Sequence, residues 1–225
     1  MAALKLSARR ALLLSAHADD AEFGCGGTVS KLVAAGVGIT SIVFSICRES
    51  VDTSKYPPDV RKHECEEAGR VLGIQDLRIF DYPVRRFTQY RQEILQELVD
   101  LRKEKHYDLV FTHWKDDVHQ DHNVVAAESF RAFKGTDSTL LSYEVPLDCQ
   151  AFSPNVFVPL NEEEVDRKVE AIMRYESEIS RRSYFSKDLV TSSLGYRGPF
   201  AHTKFAEAFE LRIMIADSWE EDDQT

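Results

Sequence analysis

Short apolar segments alternate with amphipathic segments along most of this chain, and this alternation constrains the fold more than any other feature. The apolar segments are residues 11–16, 39–45, 77–80, 107–112 and 140–145. Short apolar runs of this kind are typical of buried parallel strands. The segments between them carry apolar side chains at helical spacing, over residues 26–35, 57–73, 89–105 and 123–133. The sequence therefore predicts an α/β fold, a Rossmann-like, doubly wound, mostly parallel sheet with helices on both faces.

The pattern changes beyond Pro146. Residues 157–160 resemble a strand, residues 162–180 a single long charged helix, and residues 205–215 a strand with alternating apolar side chains. We find no linker and no internal repeat, so we expect a single domain over residues 1–225 with a core at about 10–215. The residues after Ser218 are mostly acidic and are predicted to form a solvated tail.

Composition narrows the range of partners. Hydrophobic residues make up 43% of the 225 residues, which is enough for a sizeable core. The formal net charge is −10, which argues against a nucleic-acid partner. No apolar run is long enough for membrane insertion, no signal peptide is evident, and the four cysteines form no CxxC pair. We therefore predict a cytoplasmic protein with reduced thiols.

Two polar clusters follow predicted strands. His17-Ala18-Asp19-Asp20 comes directly after the first strand, and residues 113–122 come directly after the fourth. Ligands of an open parallel sheet bind at the carboxyl ends of its strands, so central strands could bring the clusters together. Catalytic zinc sites use three His or carboxylate ligands and leave a position for water. One His and one Asp from the first cluster with one His from the second would form such a set, whereas the alternative is that these residues only cap helices and solvate loops.

Additional carboxylate and imidazole groups extend this chemistry. A carboxylate beside a bound metal can take a proton from water, and a nearby His can stabilise an oxyanion or protonate a leaving amine. The residue types therefore fit metal-assisted hydrolysis of an acyl bond. Gly24, Gly26 and Gly27 do not form a GxGxxG or Walker pattern, so we expect them to serve helix–sheet packing and a tight turn.

Four segments together resemble a known family. Residues 16–28, AHADDAEFGCGGT, resemble the signature of the LmbE/PIG-L family of zinc-dependent deacetylases, which act mostly on N-acetylglucosamine-type sugars. Residues 119–122, HQDH, resemble the second motif of that family. Residues 61–68, RKHECEEA, are similar to a conserved helix start, and residues 204–209, KFAEAF, to a late strand. The resemblance spans residues ~10 to ~212, in the order found in the family.

The resemblance implies roles for residues of the first two motifs. His17, Asp20 and His122 match the positions of the metal ligands. Asp19 matches the general base. The implied cofactor is zinc, although a His2Asp site can also take Fe2+ or another divalent metal.

Other positions would act around the metal. By resemblance, His119 is the oxyanion stabiliser or general acid, and Asp121 orients an imidazole. Arg61 matches a substrate-contacting arginine, and His202 is a further candidate for substrate binding. Ala18 stands where the family often has proline, a departure that leaves the motif intact.

The implied substrate is a small N-acetylated amino sugar or its conjugate, which is cleaved to the free amine and acetate. Because oligomers are common in the family that this chain resembles, the resemblance also implies a homo-oligomer. An amidase acting on another N-acyl or thiol-conjugate substrate would use the same residues. A non-catalytic Rossmann-like binding protein and a metal-binding scaffold without activity are further alternatives, and the intact Asp19 and His119 argue against the scaffold. The sequence leaves the roles of four nearby residues open, namely Arg85, Arg86, His113 and Trp114.

Overall fold

The computed structural model describes residues 8–215, so the predicted acidic tail after Ser218 lies outside the described residues. The strands of this range are β1 (Arg10–His17), β2 (Gly38–Ser45), β3 (Asp76–Ile79), β4 (Leu109–His113), β5 (Thr139–Tyr143), β6 (Val156–Leu160) and β7 (Phe205–Ile213). The α-helices are α1 (Asp20–Ala34), α2 (Val60–Leu72), α3 (Arg91–Glu104), α4 (Gln120–Phe133), α5 (Glu162–Ile172), α6 (Glu176–Ile179) and α7 (Lys187–Arg197).

All seven strands form one mixed sheet in the order β3-β2-β1-β4-β5-β7-β6. Strands β1 to β5 are parallel, whereas β7 pairs antiparallel with both β5 and β6. The predicted α/β fold with a mostly parallel sheet is confirmed. Because β1 and β4 are neighbours, with Leu12 opposite Val110, the loops that follow them meet at the carboxyl edge of the sheet.

The core lies on both faces of the sheet, because successive side chains of a strand point to opposite sides. Along β1, Leu13 packs in a cluster with residues of α1, α2 and α5. Leu12 and Leu14 pack in a second cluster with residues of α3 and α4. The prediction of helices on both faces is thus confirmed.

Helix α1 begins six residues earlier than predicted. The sequence predicted a helix over residues 26–35, but α1 starts at Asp20 and contains all three glycines, with a break in helical geometry at Cys25. A Cβ at Gly24 would lie 2.2 Å from the ring of Tyr143, and a Cβ at Gly27 would lie 2.4 Å from Leu160. These glycines therefore allow the helix to approach its neighbours closely, and they do not mark a turn.

The region after β6 also differs from its prediction. The helix predicted over residues 162–180 ends at Ile172, and α6 follows as a separate short helix. Tyr175 lies in the break, fully buried, and its hydroxyl donates to the carbonyl oxygen of Ala18 in the loop after β1. Helix α7 was not predicted, because only Val190 and Leu194 of its residues are buried.

Within residues 8–215, no helix combines the length and the apolar composition that crossing a bilayer requires. The four cysteines are all free thiols.

Candidate metal centre and active site

The two polar clusters meet because of how β1 and β4 end. His17 is the last residue of β1, and Asp19 precedes the first residue of α1. His119 precedes the first residue of α4, whose first turn carries Asp121 and His122. The structure therefore brings together the residues of both predicted motifs at the carboxyl edge of the sheet.

Potential ligand atoms of three residues converge there, with both carboxylate oxygens of Asp20 taking part. His122 Nε2 lies 3.1 Å from His17 Nδ1 and 3.4 Å from Asp20 Oδ1. His17 Nδ1 lies 3.5 Å from Asp20 Oδ2. Tetrahedral zinc with bonds of about 2.0–2.1 Å places neighbouring ligand atoms about 3.3 Å apart. The spacing and the donor types of these residues thus fit a divalent metal ion.

The remote nitrogen of each imidazole faces a carboxylate. His17 Nε2 lies 3.2 Å from Asp121 Oδ2, and His122 Nδ1 lies 2.8 Å from Asp117 Oδ2. Asp121 is fixed in turn by the main-chain N–H groups of Arg85 and Phe87, at 2.5 and 3.3 Å. A carboxylate at the remote nitrogen fixes the tautomer of a metal-binding imidazole and raises its basicity. Each ring therefore turns its free nitrogen toward the centre of the cluster.

The electrostatics of the cluster favour a cation. Burial alone would raise the pKa of Asp20, but the imidazoles of His122, His113 and His17 hold it well below its ordinary value. Burial opposes charge on His122 as well, yet the Asp20 and Asp117 carboxylates raise the pKa of His122 to about 10. Binding of a metal ion at His122 Nε2 would displace that proton, so metal binding is coupled to proton release.

Other combinations of side chains in the described part of the chain could also hold an ion, and all of them include His122. They are His17/His119/His122, Asp20/His113/His122 and Asp117/His122/Asp148. His119 Nδ1 already accepts from the main-chain N–H of Asp121, and His113 Nε2 from that of Ala16. The bond to Ala16 occupies the His113 nitrogen that faces Asp20, so His113 is less available than the predicted ligands, whereas the bond of His119 leaves its Nε2 unoccupied.

Asp19 lies beside this cluster without being part of it, on the wall of the adjoining pocket. Burial and the neighbouring Asp20 carboxylate raise the pKa of Asp19, while the charges of His17 and Arg182 partly oppose the shift. A carboxylate with a raised pKa is a stronger base than a solvated one, as proton transfer from water requires.

His119 is half-buried, and its ring stacks on that of His122 with centroids 4.6 Å apart. Burial and the nearby His17 and His122 imidazoles lower the pKa of His119 to about 4. The ring is therefore neutral at pH 7. Since Nδ1 accepts a hydrogen bond, the proton lies on Nε2, which leaves His119 able to donate to a developing negative charge.

His113 contributes from beneath the site. It is fully buried, its ring stacks on His122 with centroids 4.0 Å apart, and its Nε2 lies 3.2 Å from Asp20 Oδ2. The Tyr143 hydroxyl lies 3.2 Å from the same nitrogen. These contacts place His113 behind the candidate ligands.

Arg61, predicted to contact substrate, lines the pocket but is also bound within the protein. Its guanidinium is buried, donates to two main-chain carbonyl oxygens of the loop after β2 at 3.0 and 3.3 Å, and pairs with Glu178. Glu178 also pairs with Arg182 at 2.7 Å. The Arg182 side chain is 43% exposed and donates to the Tyr184 hydroxyl. Arg182 and Tyr184 therefore present more accessible polar groups to the pocket than Arg61 does.

The remaining residues divide between the pocket and the surface. His202 is exposed, ends the turn before β7 and does not line the pocket, so the structure does not bring this predicted substrate contact to the site. Arg85 and Arg86 are both exposed, but only Arg85, whose φ is +66°, lines the pocket. Trp114 is buried and donates to Glu210 at 2.6 Å.

Two site residues were missed in the sequence. Asp117 was seen only as part of a polar run, and its contact with His122 depends on how the loop before α4 folds. Arg182 lies just after the helix predicted over residues 162–180, in a segment for which the sequence predicts no role. The Arg-Arg pair at 181–182 was the available signal, but nothing in the sequence placed it opposite β1.

The fold and this cluster define an α/β protein with a candidate metal centre at the carboxyl edge of its sheet. A sequence profile described as "PIG-L: GlcNAc-PI de-N-acetylase" matches residues 12–133, a range that contains both motifs. The chain belongs to the PIG-L family of deacetylases, as its resemblance to that family predicted.

One sequence relative agrees with this assignment, and two solved structures share the fold. The chain is 28% identical over 171 residues to the "Uncharacterized deacetylase YaiS" of Escherichia coli (strain K12), a match covering 74% of this chain and 90% of that protein. N,N'-diacetylchitobiose deacetylase from Pyrococcus horikoshii is similar in structure, with a TM-score of 0.78, 19% identity and coverage of 91% and 84% of the two chains. GalB, the 4-carboxy-2-hydroxymuconate hydratase from Pseudomonas putida KT2440, gives a TM-score of 0.75 at 19% identity, covering 94% of this chain and 100% of its own. At these identities the structures support the shared fold.

Proposed function

We propose that this protein is a zinc-dependent hydrolase that removes the N-acetyl group from an N-acetylglucosamine-type sugar or sugar conjugate, releasing the free amine and acetate. The observation that carries this proposal is the convergence of His17 Nδ1, Asp20 and His122 Nε2 within 3.1–3.5 Å of one another. Asp19 and His119 line the pocket beside them. Membership of the PIG-L family supports the same reaction.

His17, Asp20 and His122 would hold the ion, with Fe2+ or another divalent metal as an alternative to zinc. When bound, such an ion lowers the pKa of water and polarises a carbonyl oxygen. The remaining steps fall to side chains of this chain.

Asp19 accepts a proton from the attacking water as the new C–O bond forms at the acetamide carbon. The N–H at His119 Nε2 donates to the oxygen that becomes negatively charged, which is the role of an oxyanion-hole donor. Asp19 then returns its proton to the sugar nitrogen as the C–N bond breaks. The products are acetate and an amine, and no further reactant is required.

Arg61 has a supporting role in this proposal. Its bonds to main-chain carbonyls and to Glu178 hold the pocket wall, and Arg182 and Tyr184 offer exposed donors to the part of the substrate beyond the acetamide. Because the strands that carry both motifs belong to one sheet, we propose that residues about 10–215 form one catalytic domain.

Metal analysis and a substrate screen together test the proposal. The purified protein is assayed for bound metal and for amine release from N-acetylglucosamine, diacetylchitobiose, N-acetylglucosaminyl malate, an inositol glycoside and nucleotide sugars. We expect about one metal ion per chain and release from at least one sugar, lost on chelation and restored by zinc. Metal-dependent cleavage of other N-acyl compounds or thiol conjugates alone would favour the amidase alternative, and a protein that binds no metal would refute the proposal.

A further inference from the structure

Helix α1 is interrupted five residues after Asp20. Cys25 has φ −146° and ψ 17°, which is not helical, so α1 consists of a first part, Asp20–Gly24, and a second part that begins at Gly26. An interruption leaves main-chain N–H groups without helical partners on one side and carbonyl oxygens on the other. When buried, such groups destabilise a fold unless they find other partners.

Glu207 of β7 satisfies the N–H groups of the second part. One of its carboxylate oxygens accepts from Gly27 at 2.9 Å and the other accepts from Thr28 at 2.6 Å. The Glu207 side chain is only 2% exposed. A carboxylate at the start of a helix also interacts favourably with the helix dipole.

Lys168 of α5 joins Glu207 to the first part of the helix. Its ammonium group donates to Glu207 Oε1 at 2.6 Å and to the carbonyl oxygen of Phe23 at 2.5 Å. The Lys168 side chain is 3% exposed. One buried ion pair therefore links the two parts of α1 across the interruption.

The first part of α1 is also held against the metal centre. Gly24 packs on the ring of Tyr143, whose hydroxyl donates to the carbonyl oxygen of Leu14 at 2.8 Å and lies 3.2 Å from His113 Nε2. The same nitrogen of His113 lies 3.2 Å from Asp20 Oδ2. A shift of this helical part would therefore displace Asp20 by two routes. One is direct, because Asp20 belongs to the same helical part, and the other runs through the contacts of Tyr143 and His113.

We infer that Lys168 and Glu207 are positioning residues for the active site, which act by fixing the part of α1 that carries Asp20 and adjoins Asp19. The inference rests on the metal centre proposed above. A fully buried ion pair adds little net stability, because desolvation offsets most of the attraction. Its hydrogen bonds nevertheless fix the end of the first helical part, at Phe23, relative to the start of the second part, and the first residue of that first part, Asp20, would bind the metal.

The test compares Glu207→Gln with Asp108→Asn. Asp108 is a matched control, because it also accepts from two successive main-chain N–H groups, those of Arg9 and Arg10 at 2.8 and 2.9 Å, at the end of β1 opposite His17. Amide hydrogen exchange of residues 19–24 is measured in the metal-free proteins, and Co2+ affinity and visible absorption in the loaded ones. A general loss of stability would accelerate exchange across the sheet, whereas a positioning role predicts a local change.

We expect exchange of residues 19–24 to be about tenfold faster in Glu207→Gln and near wild type in Asp108→Asn. Co2+ affinity should fall about 10- to 100-fold, with an altered absorption spectrum, only in Glu207→Gln. The double variant Lys168→Met/Glu207→Gln leaves no unpaired buried charge, and it should fold and show the same altered spectrum.

Wild-type exchange at residues 19–24 together with a wild-type Co2+ spectrum in Glu207→Gln and in the double variant would overturn the inference. Failure of the proposed function is distinguishable from this outcome. It would appear as a wild-type protein that binds no metal or cleaves no substrate, whereas the exchange comparison uses metal-free protein and no substrate.

Discussion

Asp121 and Asp117 contact the imidazoles of His17 and His122, respectively, on the side away from the candidate metal centre. Each carboxylate lies within 3.2 Å of the ring nitrogen that points away from the centre. Both carboxylates also accept main-chain N–H groups, Asp117 from His119 at 2.7 Å and Asp121 from Arg85 at 2.5 Å. The orientation of each imidazole is thereby tied to the backbone of a loop.

Asp117→Asn should weaken metal binding about 10- to 100-fold, because it removes the negative charge that fixes and polarises His122. Competition with a chromogenic chelator measures the affinity. Asp116→Asn is the matched control. The Asp116 carboxylate is next to Asp117 in sequence, is 57% exposed, and pairs only with Lys115 among the described residues. Equal affinities for the two variants would show that Asp117 does not support His122.

Glu22 is a buried carboxylic acid three residues after Asp19, and its Oε1 lies 3.2 Å from the Tyr175 hydroxyl. Burial is the main reason why its pKa rises from 4.5 to about 8. The folded chain therefore retains this proton longer than the unfolded chain does. The stabilising contribution is complete below pH 4.5 and is lost as the pH rises through about 8.

Glu22→Gln, which is neutral at every pH, should match the wild type in acid. Between pH 4.5 and about 8 it should become progressively more stable than the wild type, by on the order of a few kcal/mol. Urea unfolding of chelated protein across this range measures the difference, and metal ligands common to both proteins cancel in the comparison. A stability difference independent of pH would contradict the assigned protonation of Glu22.

At the scale of elements, α1 shows how close packing determines a helix that local propensity argues against. Gly24→Ala places a methyl group where the ring of Tyr143 now lies, so it should destabilise the fold by about 1–3 kcal/mol. Gly195→Ala in α7 meets nothing within 4 Å and should instead stabilise it by about 0.5–1 kcal/mol. Thermal unfolding of the two variants provides the check, and similar effects would mean that Gly24 does not serve packing.

The elements also show the limits of prediction from sequence. Strands β1, β2, β4 and β5 could be predicted because their apolar residues are continuous and short. The start of α1 at Asp20 could not be predicted, because glycines normally disfavour helices. Here they leave space for the side chains of Tyr143 and Leu160, which come from distant segments. Helix α7 buries only two side chains, so its sequence carries little helical periodicity.

At the scale of the whole molecule, the sheet order explains why two motifs a hundred residues apart form one site. β1 lies between β2 and β4, and the loops after β1 and β4 meet at the carboxyl edge of the sheet. The antiparallel β7 places Glu207 under α1, which the sequence could not have shown, because it depends on a strand inserted between β5 and β6. The motif residues of the site were predictable, whereas their supporting contacts depend on tertiary structure.

At the centre of the proposed function, Asp20 binds the metal ion and the adjacent Asp19 transfers the proton. The most direct test is the rate of acetate release by Asp19→Asn at full metal occupancy, with the sugar that the wild type cleaves best. We predict metal content equal to that of the wild type and a rate about 10²- to 10⁴-fold lower. Release at the wild-type rate by the fully loaded variant would contradict the account.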